Sequence, residues 1–328
     1  MSEGRTTNPT ELSNAQLLEA FEMMSLIRRV EEIAGRAYQM QKFSGFCHLY
    51  IGQEAVAAGS SLAMEPGDYM ISAYREHGQA MSRGISAHAV MAELLGKRTG
   101  ATGGRGGSMH IFDAEKRFMG GWGIVGGQIP LGAGIGFAIK YRQEKDVCLC
   151  YFGDGSIHQG VFHEALNMAS IWDLPVVFIC ENNKYAMGTD MDRINAQKDL
   201  TKKAVSYAMD AATVNGQDFF DMYTGVKGAI DRARDQSRPT FLDVRTYRFR
   251  GHSMSDPGNY RTKEEVEEEK GRDPILKMRR DLIAMGVATD EELTAIDKKC
   301  RKEAKDALAQ AEKDPFPDIS TLKDFVYV

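Results

Sequence analysis

The chain has 328 residues, a hydrophobic share of 43% and a net charge of -5. That length allows one large α/β domain or two ordinary ones, and the apolar share supports a substantial core. Lys and Arg are interleaved with Asp and Glu, notably after Thr262, which excludes the clustered basic surface that nucleic-acid phosphates require. Cys47, Cys148, Cys150, Cys180 and Cys300 include no C-x-x-C pair and read as small hydrophobes of a reducing compartment. No run is long enough to span a membrane, and the start from Met1 to Glu11, with Pro9 and no apolar centre, does not read as a signal or transit peptide. A cytoplasmic bacterial protein is expected, or a mitochondrial matrix protein already processed.

Ser13 with Gln16 spells a capping box, and Leu17, Phe21, Met24 and Ile27 follow at helical spacing, predicting a helix to about Met40. A second helix is predicted from Gln53 to Met64. From Gly100 to Gly136 glycine is so frequent that regular secondary structure is not expected. Apolar residues threaded through it, as in Trp122-Gly123-Ile124-Val125, favour an ordered functional loop.

Strand and helix then alternate. Val147 to Phe152 is an apolar run ending in Gly153-Asp154-Gly155, and a helix is expected from about Gln159 to Trp172. Pro175 to Cys180 is a second apolar run, ending in Glu181-Asn182-Asn183, and Ala211 to Val214 and Thr240 to Tyr247 are further strand candidates. The charged tail from Glu264 to Ala311 is expected to be helical. Apolar runs alternating with helices indicate an α/β fold with a central, mainly parallel sheet flanked by helices on both faces. No repeat or linker is visible, so residues 1–328 are expected to form a single domain with a helical C-terminal part.

In open α/β sheets, ligands bind beyond the carboxyl ends of the strands, where both polar motifs lie. Magnesium takes six oxygen ligands and is commonly shared between a carboxylate and phosphate oxygens. Asp154 supplies the charge, Asn183 a neutral oxygen, and the backbone carbonyl of Tyr185 a third ligand. Gly153 and Gly155 allow the backbone to approach a diphosphate. Alone, Gly-Asp-Gly is a weak signal that reads more readily as an ordinary strand-end turn. The pair separated by 26 residues, from Gly155 to Asn182, is similar to the thiamine-diphosphate signature.

The resemblance then extends along nearly the whole chain. Gly45-Phe46-Cys47-His48-Leu49-Tyr50, Gly52-Gln53-Glu54-Ala55, Tyr74-Arg75-Glu76-His77-Gly78 and Gly106-Gly107-Ser108-Met109-His110 resemble the alpha subunits of thiamine-diphosphate-dependent 2-oxoacid dehydrogenases. So do Gly123-Ile124-Val125-Gly126 and Glu181-Asn182-Asn183-Lys184-Tyr185. Gly251-His252-Ser253-Met254-Ser255-Asp256-Pro257 is similar to the pyruvate dehydrogenase branch rather than to the branched-chain or acetoin branches.

The resemblance implies a thiamine-diphosphate-binding fold and a set of roles. Tyr74 and Arg75 match contacts of the diphosphate, and Gly123 and Val125 match positions whose backbone holds the aminopyrimidine. His48 and His252 match active-site histidines, with Phe46, Gly155 and Ser156 as further cofactor contacts. Histidines near the reacting atoms suit proton transfer when their pKa lies near neutrality. Ser253 matches a serine that mitochondrial relatives present to a kinase, although in a loop it also reads as an ordinary polar residue.

The implied reaction is oxidative decarboxylation of pyruvate with magnesium and thiamine diphosphate, and reductive acetylation of a lipoyl group on an acyltransferase component. The resemblance also implies a beta subunit that completes the active site, in an assembly of two alpha and two beta chains. The segment at about 253–272, rich in Ser, Gly, Pro and charge, is expected to be a mobile active-site loop without cofactor. Two readings from other classes remain. Gly132-Ala133-Gly134-Ile135-Gly136 suggests a dinucleotide fingerprint, but Phe137 stands where the third small residue belongs. A non-catalytic interaction subunit would keep the fold without needing Asp154, Asn183, Tyr74, Arg75 and His252 intact.

Overall fold

The structure, a computed structural model, describes residues 12–326. The stretch Met1–Glu11, read above for targeting signals, lies outside the described residues. In chain order the elements begin with α1 (Asn14–Gln39), α2 (Glu54–Ala63), β1 (Tyr69–Ala73), α3 (His77–Ser82), α4 (Ala87–Leu94) and β2 (Phe118–Trp122). Next come α5 (Gln128–Tyr141), β3 (Cys148–Gly153), α6 (Gly160–Ile171), β4 (Val176–Asn182), and the short antiparallel pair β5 (Tyr185–Ala186) and β6 (Thr189–Asp190). The remainder is α7 (Met191–Ile194), α8 (Thr201–Val205), β7 (Asp210–Asn215), α9 (Phe219–Gln236), β8 (Thr240–Arg245), α10 (Lys263–Lys270), α11 (Pro274–Ala284) and α12 (Asp290–Ala311).

A six-stranded sheet in the order β2-β1-β3-β4-β8-β7 forms the centre, and every pairing in it is parallel. Each strand alternates between two cores. Leu149, Tyr151, Val177, Ile179, Leu242 and Val244 face the core that also holds α1, α2, α9 and α12. Cys148, Cys150, Phe152, Val176, Phe178, Cys180 and Phe241 face the core under α5 and α6. Period-two side-chain direction converts each continuous apolar run into two buried faces.

The capping box of Ser13 and Gln16 is present, and Leu17, Phe21, Met24 and Ile27 are buried along α1. The cysteines are buried and free, as small hydrophobes are expected to be. The charged tail forms α10 to α12, with Asp273 capping α11 and a Thr289/Glu292 capping box starting α12.

The expectation for Gly100–Gly136 requires correction. That stretch contains β2 and the first turns of α5. Its glycines serve contact rather than looseness: a Cβ on Gly132 would come within 2.8 Å of Cys150, and one on Gly136 within 2.3 Å of Val176. α5 therefore lies directly on the sheet, and its glycine cluster belongs to helix–sheet packing and not to a dinucleotide-binding turn. Burial outweighs the poor helix propensity of glycine here.

Candidate active site

The carboxyl ends of the parallel strands converge on a cleft with two connected chambers. The inner one has a volume of about 230 Å³ and is lined by Arg75, Asp154, Gly155, Ser156, Asn183, Tyr185 and Arg248, among others. The outer one, about 600 Å³, is lined by Phe46, His48, Met109, Gly123, Ser253 and Tyr260, among others. Tyr74, Val125, Met187 and His252 border both. Every nominated site residue thus lies on this one cleft, although the segments that supply them are far apart in the chain.

Asp154 follows β3 directly, is 2% exposed, and accepts a hydrogen bond from the Gly155 amide at 3.1 Å. Its second oxygen, Oδ2, is buried without a partner, and burial pushes the carboxyl up to about 7, opposed by Arg248. Gly155 has no room for a side chain, because a Cβ would meet that of Ala186 at 2.9 Å. Asn183, just past β4, donates to Gln53 at 3.2 Å and accepts from Arg248 at 2.8 Å.

Arg248 was not singled out from the sequence, and it organises the inner chamber. It is 1% exposed, and one nitrogen donates to both Asn183 Oδ1 (2.8 Å) and the Tyr185 carbonyl (2.7 Å). Its other terminal nitrogen reaches the Met187 carbonyl at 2.6 Å and the Tyr260 hydroxyl at 2.8 Å. The neutral oxygens nominated for a metal therefore already converge on a positive charge. Its sequence signal was a lone arginine between Tyr247 and Phe249, just past β8, where a core residue is the default reading.

The nominated donors fit magnesium. Asp154 carboxylate, Asn183 amide oxygen and Tyr185 carbonyl are all hard oxygens, and Asp154 Oδ2 is the orphan that a cation would satisfy. Among the described residues no group of three or more His, Cys, Asp or Glu is placed to hold a metal ion.

Arg75 is 6% exposed and donates at 2.7 Å to the carbonyls of Leu49 and His252. It therefore positions the His252 backbone as well as bordering the inner chamber. Burial, and the neighbouring Arg248 charge, hold its guanidinium below its ordinary value. Two buried like charges facing one chamber are costly unless an anion joins them. Glu181, quoted in the sequence only as part of a motif and given no role there, adds a carboxyl pushed up to about 7 by burial and hydrogen-bonded by Tyr50 and, at 3.0 Å, by Gln79.

His48, Tyr74 and His252 form an aromatic group, with ring centroids 4.5 Å apart for His48–Tyr74 and 5.0 Å for His48–His252. Nδ1 of both histidines is buried without a partner. Burial, reinforced by Arg75, pushes His48 down to about 2 and His252 down to about 4. Both are held below the near-neutral range that best suits proton transfer. The other histidines lie elsewhere: His77 pairs with Glu31 at 2.9 Å, His88 with Asp314 at 2.6 Å, and His163 with Tyr207 at 2.7 Å. His110 meets the Gly121 carbonyl at 3.1 Å.

Gly123 and Val125 sit on the loop between β2 and α5, which Gly126 turns with φ of 83°. Phe46 is 65% exposed and Ile124 76% exposed. The segment after Ser253 is held by a Tyr260–Asp256 hydrogen bond at 2.8 Å, and α10 within it presents Glu265 to Lys184 and Tyr185.

Residues 22–320 match the family described as Dehydrogenase E1 component. The chain is 44% identical over 313 residues to "Pyruvate dehydrogenase E1 component subunit alpha" of Rickettsia bellii, covering 95% of this chain and 96% of that protein. The protein of the same name from Rhizobium meliloti is 47% identical, covering 95% and 90%. The testis-specific mitochondrial form from Rattus norvegicus is 42% identical, covering 97% and 81%. With one family matched over most of its length and relatives aligned nearly end to end, the chain belongs to the Dehydrogenase E1 component family.

Proposed function

We propose that this chain is the alpha component of a thiamine-diphosphate-dependent pyruvate dehydrogenase, converting pyruvate to carbon dioxide and a lipoyl-bound acetyl group. The observation that carries this reading is the inner chamber. One buried, half-unpartnered carboxylate and two neutral oxygens adjoin two buried arginines, and the chamber opens into a less polar one. A magnesium diphosphate supplies the charges that this arrangement lacks, and the outer chamber takes the rings.

Asp154, Asn183 and the Tyr185 carbonyl would hold the metal, and loading it requires Arg248 to give up the oxygens it now bonds. Tyr74, Arg75 and Arg248 then face the diphosphate, with Gly155 and Ser156 approaching from the end of β3. Gly123 and Val125 present backbone groups to the aminopyrimidine, and Phe46 lines the mouth. The bound cofactor supplies the nucleophilic carbon and the electron sink.

His48 and His252 hold or accept protons at their unpartnered Nδ1 atoms, because both are neutral in the free cleft. A bound anion opposes the effect of Arg75 and raises both toward the range useful for proton transfer. The exposed mouth around Phe46 and Ile124 leaves room for a beta subunit to complete the site, in an assembly of two alpha and two beta chains. A lipoyl-bearing acyltransferase component accepts the acetyl group. No described helix is long and apolar enough to cross a membrane. We place the protein in the bacterial cytoplasm, with the mitochondrial matrix as the site for a processed form.

The test is pyruvate-dependent carbon dioxide release with thiamine diphosphate and magnesium, comparing the chain alone with the chain co-purified with its beta partner. Release only from the co-purified sample, lost on Asp154→Ala, is the expected result. Release only from a branched 2-oxoacid or from acetoin keeps the fold and cofactor but overturns the substrate.

A further inference from the structure

The two ends of the Asn183 side-chain amide have different partners. Oδ1 accepts from Arg248 at 2.8 Å, and Nδ2 donates to Gln53 Oε1 at 3.2 Å. A guanidinium carries only donors, so the end of Asn183 that faces Arg248 is its oxygen. The other end is then the NH2 group, and Gln53 must meet it with an acceptor. Among the described residues, Gln53 and Arg248 are the hydrogen-bonding partners of this amide.

Gln53 is fully buried and is the N-cap of α2, yet its side chain makes no hydrogen bond to the helix it starts. Ser, Thr, Asp or Asn would stabilise that helix end better, so local helix chemistry does not account for a glutamine there. Gly52, with φ of 102°, delivers Gln53 to the site, and a Cβ on Gly52 would lie 2.3 Å from the Tyr247 carbonyl. Phe249 also donates to the Ile51 carbonyl at 3.0 Å. The segments 51–53 and 247–249 are thus locked backbone to backbone. From that junction Gln53 and Arg248 reach opposite ends of one amide.

We infer that Gln53 is a positioning residue for the metal ligand Asn183, holding its amide so that the oxygen and not the NH2 group faces the cation. This rests on the reading of the inner chamber as a magnesium diphosphate site. Loading that site takes Arg248 off Asn183 Oδ1 and removes the group that fixes the amide from the chamber side. The hydrogen bond to Gln53 is what remains to keep the oxygen inward. An amide turned end for end would aim two N–H donors at a cation. Gln53 lines neither chamber, so it acts through Asn183. Partners of this kind orient metal ligands, and losing one typically weakens metal binding by about 10- to 100-fold.

The test is calorimetric titration of magnesium into the full chain co-purified with its partner, with thiamine diphosphate saturating. Gln53→Met removes the acceptor at similar volume and should weaken magnesium by about tenfold or more. The second background is Asn183→Asp, whose carboxylate has an oxygen at each end and needs no orienting. Adding Gln53→Met there should change magnesium affinity by less than about threefold. Gln53→Glu keeps an acceptor for the Asn183 NH2 group and should stay within about threefold of the parent, which keeps the test decisive where Gln53→Met does not fold. Equal losses in both backgrounds would make Gln53 a packing residue and overturn the inference. Unchanged affinity in Gln53→Met, or a tenfold loss in Gln53→Glu, would overturn it as well. Absence of magnesium binding by the parent would overturn the reading of the chamber, and the inference with it.

Discussion

The inner and outer chambers of the cleft are built from different kinds of backbone. Asp154, Asn183 and Arg248 sit within three residues of the ends of β3, β4 and β8, strands whose hydrogen-bonded register is continuous. Phe46, Gly123, Val125 and Ser253 sit on connections between elements. The charged end of the site is therefore carried by the sheet, whereas the mouth is carried by the connections between elements. Placing Asp154, Asn183 and Arg248 at strand ends fixes their backbones, so that loading the site shifts the Arg248 side chain and not the chain that carries it.

The largest effect tests the charged end. Asp154→Ala should lower cofactor-dependent turnover at least ~100-fold, because the proposed site takes its metal-bound carboxylate from Asp154. Asp154→Asn should lose activity similarly yet melt higher without cofactor, since it removes a carboxyl whose burial Arg248 and the Gly155 amide only partly offset. An Asn variant that melts lower than the parent would show that Asp154 is already stabilised by groups of the chain.

Next in size is the aromatic group on the boundary. His252→Ala should reduce kcat by about a hundredfold, with thiamine diphosphate affinity changed only a few-fold. Equal losses in kcat and affinity would reassign His252 to cofactor binding. The loop side is sharpened by limited proteolysis. Cleavage within 253–272 should be several-fold slower once cofactor and magnesium are added, while cleavage elsewhere is unchanged. A loop equally resistant without cofactor would remove the contrast between the two chambers.

The smallest effect concerns a buried pair beside the cleft. Burial alone would lower His77, but Glu31 and Glu76 outweigh it and raise it to about 9. Burial raises Glu76 to about 8, opposed by His77. A raised histidine contributes stability that is fully present below its unfolded pKa of about 6.5 and is lost as pH rises through its folded value. A raised carboxyl acts in the same direction, costing stability as pH climbs toward 8. The melting temperature should therefore fall by a few degrees between about pH 6.5 and 9, and His77→Gln should flatten that slope. A slope that survives the substitution would assign it to other groups.

The alternating strands β3, β4, β7 and β8 were legible because each is a compact β-branched or aromatic run bounded by polar motifs. β1, α3, α4 and α9 were not singled out, and the helix and strand inside the glycine-rich stretch were read as loop. Tyr69–Ala73 is five residues long and Phe118–Trp122 carries two glycines, so neither stands out from its surroundings by period or propensity. Gly132 and Gly136 look like breakers until the neighbouring Cys150 and Val176 are known.

By itself the sequence determined the α/β alternation and the paired motifs at two strand ends, because these depend on local period and residue type, while the roles of Tyr74, Arg75, Gly123, Val125, His48 and His252 were implied by resemblance alone. Only the tertiary structure decided that Arg248 bonds the very oxygens nominated for a metal, that His48 and His252 are neutral in the free cleft, and that Gln53 meets the Asn183 amide. Those properties arise from burial and from the approach of segments far apart in the chain, and neither is encoded in the order of neighbouring residues.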